Sequence, residues 1–276
     1  MGHLILQGDN TKFPGFSLLG ESNLAITFDE TGIGHIIELP YLVLSGTTSM
    51  SIVSTGVPMG LNSFDQLDET TNNLTTLTIG GSEPFALGLG TGQPNSGDGV
   101  VTDIAATASA PTTFHSSLTL IDASATTVPL TILAGATNTS GAGNFQNGTS
   151  LPANVTITYT GLTIKGGSGS DLIENDAKNG IVIEGNAPFD TVILGGAGAK
   201  ATLGNGTDDV VRVGLSLLGT NEAAGAALGD KVTFGAAATA ELFVASGAES
   251  RIYRWHHEHR SDQSRKRGRR YAHHLR

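Results

Sequence analysis

Three aspartates recur at one interval: Asp171, Asp190 and Asp209 stand 19 residues apart. The first lies in GGSGSDLIE (166–174), which fits all the specified positions of the nonapeptide pattern GGxGxDxUx, where U is apolar. Glycine lets a tight turn take backbone angles closed to other residues, so that carbonyl oxygens converge. Aspartate in the sixth place adds charge. Such an oxygen-only donor set suits a hard cation such as calcium, which takes six to eight oxygens. The apolar residue two places later starts a short inward-burying strand.

Degenerate copies follow: GNAPFDTVI (185–193), GGAGAKATL (195–203) and GNGTDDVVR (204–212). Two half-repeats per coil would stack the three aspartates on one edge of a solenoid. Ile181 and Lys200 hold the same repeat place in the interleaved copies and would stack on the opposite edge. There Lys200 would supply a fixed cation where a metal would otherwise sit, so Lys200→Asp would gain a calcium equivalent. In this register Ile173, Ile183, Val192, Thr202 and Val211 point inward.

These repeats resemble the RTX (repeats-in-toxin) calcium-binding β-roll family, closely over 166–212 and loosely over 162–246. The resemblance implies calcium as cofactor, with Asp171, Asp190 and Asp209 as ligands. Carbonyls around Gly166, Gly167, Gly169, Gly185, Gly204 and Gly206 would complete the set. Asn186 and Asn205 in place of glycine, with Pro188, Phe189 and Thr207, depart from the pattern and imply weak or partial occupancy. Together with what precedes them, the repeats look like the end of a Gram-negative surface-layer or adhesin-like repetitive protein. Those proteins leave the cell by type I secretion without an N-terminal signal. The implied setting is extracellular or cell-surface, with self-assembly or a cell-surface polysaccharide as the partner.

The elements that must hold these turns are β-strands. NLAITFDE (23–30), MSIVST (50–55), NLTTLTIGG (73–81), SLTLIDAS (117–124), VPLTILAG (128–135) and NVTITYTGLTIKG (154–166) alternate apolar with Thr or Ser, the period of a half-buried strand. One strand type with variable loops predicts an all-β fold: a parallel β-solenoid or β-roll preceded by a β-rich array. Residues 1–161 would be that array, solenoid or sandwich, and 162–214 the roll. A closing unit would occupy 215–250, with a short helix over 216–230 and strands at 231–235 and 241–246. The last segment, 251–276, would be a disordered basic tail.

Composition sets the exclusions. Net charge is −10 and there is no cysteine, which removes thiolate chemistry and disulfides and argues against a nucleic-acid partner. The average conceals a split: residues 1–250 carry −17 and 251–276 carry +7, with five of the eight histidines. That switch predicts a segment foreign to the fold, from a frameshifted or wrongly joined reading frame, and would remove any C-terminal secretion signal. No secretory leader or transmembrane segment is expected; the apolar stretch 35–46 contains Glu38 and Pro40. The competing reading is a β-helix carbohydrate-active enzyme, a lyase or hydrolase, with Asp65, Asp68 and Glu69 as its acidic cluster. Against it, HExxH and GxSxG are missing and His35 and His115 are isolated. His35 reads as a packed strand residue, and no catalytic residue is assigned.

Overall fold

In a computed structural model of the chain, the described residues are 1–87 apart from 10, 34, 41, 58, 59, 65, 66 and 70–72, then 117–134, 161–213 apart from 176, and 228–254 apart from 236–238 and 245–248. Short strands between them, at 100–102, 112–115, 136–138, 144–145, 149–150 and 155–158, are also described.

Period-two alternation sets the local structure. In Asn23–Glu30 the residues from Leu24 onward alternate buried with half-buried, and Ser49–Gly56 repeats the pattern. A strand with one buried face needs a neighbour in fixed register, because a slip of one residue turns every side chain over. Here the neighbour is the same strand of the next coil. Leu24, Met50, Leu77, Ile121, Ile164, Val182, Ala201 and Val232 are successive partners in parallel pairs. All eight are buried, and each aliphatic side chain so buried contributes roughly 1.5–3 kcal/mol.

The chain is therefore an all-β parallel solenoid, with no helix among the described residues. A first sheet of ten strands runs from Gly2–Gly8 to Glu249–Arg254, and a second of nine runs from Thr11–Lys12 to Thr239–Val244. Both sheets pass through residue 161 without interruption, which decides for a solenoid over a sandwich in the N-terminal part. A third, four-stranded sheet (Phe16–Leu19, Leu42–Ser45, Leu67–Glu69, Val100–Thr102) closes only the N-terminal coils. Coils there are triangular and long: Leu24 to Met50 spans 26 residues and Met50 to Leu77 spans 27. From Thr163 to Val213 the described residues form no third side, and coils are flattened to two strands and two turns, 19 residues from Ile181 to Lys200.

Three sequence expectations are corrected here. Ile183 is 40% exposed and Thr202 is exposed, whereas Val182 and Ala201 are buried. Inward positions in the first sheet are thus one residue earlier than the nonapeptide alignment gives. By the same shift Lys200 faces solvent, and the buried place before its strand belongs to Ala199. Lys200 therefore does not occupy a metal position. Finally, Arg251–Arg254 form part of the strand Glu249–Arg254, paired with Leu228–Phe234, so the expected tail does not begin at 251; its remainder, 255–276, lies outside the described residues. The predicted strands at 231–235 and 241–246 overlap Leu228–Phe234 and Thr239–Val244, with 245 and 246 outside the described residues. The helix expected over 216–230 falls on residues outside the described set up to 227, and from Leu228 the chain is strand.

Candidate metal centre

The turn from first to second sheet carries the acidic residues. In one coil it joins Thr163–Lys165 to Leu172–Asn175, and in the next it joins Ile181–Ile183 to Thr191–Leu194. Asp171 and Asp190 are the last turn residues before their second-sheet strands, and Asp209 lies near the start of its strand Thr207–Val213; all three positions are buried. Asp171, Asp190 and Asp209 are at most 2% exposed. Phe189 and Asp208, immediately before the second and third, take positive φ of 66° and 62°, a left-handed conformation unfavourable for a bulky residue.

The three aspartates form a ladder. Leu130 N donates to Asp171 Oδ1 at 3.0 Å, Asp171 N to Asp190 Oδ1 at 3.0 Å, and Asp190 N to Asp209 Oδ1 at 3.2 Å. Each carboxylate thus caps a backbone N–H of the coil before it. Gly167 N donates to the second oxygen of Asp171 at 2.8 Å. The stacking of the three aspartates at a 19-residue interval, expected from the sequence, is what the structure displays.

The glycines of these turns lie where coils approach most closely. A methyl group on Gly204 would fall 2.1 Å from Gly185 O, and one on Gly206 would fall 2.1 Å from Ala187 O. The Gly185 and Gly204 carbonyls accept from Gly204 N and Gly235 N, each at 2.9 Å. Gly169 packs on the Val128–Pro129 backbone. The departures at 186 and 205 continue the stacking by other means, since Asn205 N donates to Asn186 Oδ1 at 2.8 Å.

One candidate ligand is not legible in the repeat. Glu184 directly follows the first-sheet strand Ile181–Ile183, is 5% exposed, and turns inward toward the aspartates. Its carboxylate occupies the space a side chain on Gly166 would fill, for a methyl there would lie 2.0 Å from Oε2. Asp171, Glu184 and Asp190 each offer an oxygen, all within 4.8 Å of one another. The signal that finds Glu184 is the parity of its strand: with Val182 inward and Ile183 outward, residue 184 must point in. A second unforeseen carboxylate, Asp230, caps Ala199 N at 2.8 Å on the opposite edge.

Electrostatics make this cluster costly without a cation. Burial pushes the carboxyl of Asp171 up to about 6 and that of Asp190 up to about 7. Burial, and then the charges of Asp171, Asp190 and Asp209, push Glu184 up to about 9. Asp209 and Asp230 are also raised by burial. Among the described residues, both oxygens of Glu184, with Oδ2 of Asp190 and of Asp209, are buried without a hydrogen-bond partner of proper geometry. A buried carboxylate in that condition must bind a proton or a cation. Orphaned oxygens, an all-oxygen donor set and the space over Gly166 fit a hard divalent ion. Asp171, Glu184 and Asp190 would hold it, beside an open depression of about 490 Å³ that Gly166, Gly167, Gly185 and Asn186 help to line. Nearby, Lys165 donates to Asp122 at 2.9 Å and, with Ser124, holds that carboxyl below its ordinary value.

The acidic cluster of the enzyme reading lies outside the described residues at Asp65 and at the side chains of Asp68 and Glu69, as does the side chain of His115. His35 is exposed in a turn rather than packed in a strand. No helix among the described residues is long and apolar enough to cross a membrane. Comparison with family models, curated proteins and solved structures returns no match to this chain.

Proposed function

We propose that the chain is a non-catalytic calcium-binding structural protein of the cell surface, surface-layer or adhesin-like, in which calcium orders a glycine-rich β-roll. One observation carries this reading. Buried, mutually repelling carboxylates with unsatisfied oxygens stack at the turns of successive coils, where a divalent cation would neutralise them. The nonapeptide resemblance to RTX rolls supports calcium as that ion. It also supports export by a type I route to a medium where calcium is plentiful. The long β-sheet faces would then serve self-assembly or contact with a surface polysaccharide.

The test is thermal melting by circular dichroism of the full chain, in calcium and in chelator. Calcium at about 100 times its Kd should stabilise by about 2.7 kcal/mol, a rise of roughly 5–10 °C for a chain of this size. Asp190→Ala and Glu184→Gln should each blunt the shift. In chelator at pH 9, Glu184→Gln should melt no lower than the parent, because it removes a buried charge. A melt indifferent to calcium would overturn the proposal.

A further inference from the structure

A second cluster lies at the other end of the solenoid, in the turns that lead from the first sheet to the second in the first two coils. Asp9 directly follows the strand Gly2–Gly8, and Glu30 ends the strand Asn23–Glu30, opposite Gly8 in register. Five residues on, the turn brings back His35. Asp9, Glu30 and His35 each offer a ligand atom, all within 4.8 Å of one another. His35 Nδ1 is in direct contact with Asp9 Oδ1.

The backbone around this cluster is fixed from both sides. Thr31 N donates to Gly8 O at 2.8 Å and Thr11 N to Ile36 O at 2.9 Å, which tie the turn to the first coil. Leu61 N donates to His35 O at 3.2 Å, from the third coil. Gly32 lies beneath the meeting point, since a methyl on it would come within 2.1 Å of Asp9 Oδ1 and 2.4 Å of His35 Nδ1. The independent sign of a ligand is Glu30. It is 1% exposed, Gly32 N donates to its Oε1, and its Oε2 is buried with no hydrogen-bond partner among the described residues. Asp9 and His35 are roughly half exposed, with side chains at 58% and 45%, so water reaches the side opposite Glu30.

We propose that Asp9, Glu30 and His35 form a cation site distinct in chemistry from the aspartate ladder, one that takes zinc or a similar borderline divalent ion and clips the first two coils together. One imidazole nitrogen and two carboxylates, with solvent completing the shell, match the ligand count of an open zinc site. Calcium prefers more oxygens and no nitrogen. The ion would satisfy the orphaned Glu30 oxygen and stand between the imidazole and the Asp9 carboxylate. This proposal is independent of the calcium reading.

The C-terminal histidines would also take zinc. The titration therefore uses the full chain with His256, His257, His259, His273 and His274 changed to Ala, stripped with chelator and titrated with zinc chloride by calorimetry. One saturable equivalent is expected, with a higher melting temperature in zinc. His35→Ala should abolish both effects, and Glu30→Gln should weaken binding at least tenfold. Asp190→Ala should leave both intact. His35 is exposed, so its variant should fold even if the Glu30 variant does not. The proposal is overturned if no saturable equivalent appears, if His35→Ala retains it, or if Asp190→Ala removes it.

Discussion

The N-terminal coils and the roll from Thr163 to Val213 share two sheets and one inward column, yet they solve their cross-section differently. The triangular coils enclose more volume and fill it with large side chains. Phe28, Phe64 and Phe85 are fully buried, and the rings of Phe28 and Phe85 stand 5.4 Å apart at 59°. Across the second sheet, the column Leu39, Phe64, Leu87, Ile132, Ile173, Val192, Val211 narrows through the roll before Leu242 follows in the last strand. The buried side chains of the roll from Thr163 to Val213 are smaller, and its turns stack three buried aspartates at one place, where the N-terminal turns carry the different set Asp9, Glu30 and His35. Both halves bury an apolar column, and the roll adds a column of buried aspartates at one edge.

The comparison breaks first on a core truncation. Phe28→Ala should cost about 3–5 kcal/mol, as large buried aromatics do, equally in calcium and in chelator by chemical denaturation. A calcium-dependent cost would mean that the two halves are not separately supported. Next in size is the calcium response itself, followed by amide exchange. Calcium should slow exchange at Asp171 and Asp190 by about 100-fold, the factor that corresponds to 2.7 kcal/mol, and leave Ile26 and Phe28 unchanged. A uniform slowing would erase the distinction.

A third, smaller effect is pH dependence. The folded-state carboxyl values of about 6, 7 and 9 for Asp171, Asp190 and Glu184 all exceed those of the unfolded chain. The folded chain therefore holds more protons than the unfolded chain, and stability in chelator should be greatest near about pH 4. It should fall as pH rises through 6, 7 and 9. Calcium should flatten that slope, and calcium uptake at neutral pH should release protons, seen as a buffer-dependent heat. The smallest effect expected is that of Lys200→Asp. Being outward, it should change stability by no more than about 0.5 kcal/mol and add no calcium equivalent in a titration.

How far the sequence carried differs by element for physical reasons. Asn23–Glu30 and Ser49–Gly56 were legible because polar and apolar residues alternate there without a break. The aspartate column was legible because a charged residue keeps its period even when the turns around it drift. The third sheet was not: FSLL, LVLS and LDE are too short to show a period of two. Glu184 escaped because Ile181–Ile183 is three β-branched aliphatics in a row, which leaves the parity of that strand open. A slip of one residue there hid the inward glutamate and put Lys200 on the wrong face. Asp230 escaped because Lys200 to Lys231 spans 31 residues, which breaks the 19-residue interval.

Seen end on, the aspartate ladder is a line charge. Adjacent parallel strands lie about 4.8 Å apart, whereas two unit charges in water interact with thermal energy at about 7 Å. Carboxylates spaced more closely than that distance draw in counterions, as the phosphates of a nucleic acid do, and divalent ions displace monovalent ones. Every added coil bearing aspartate at the place of Asp171, Asp190 and Asp209 would raise the field felt by all the others. Cation affinity in such a rod grows with its length, so repeat number itself sets the ion concentration at which it becomes rigid.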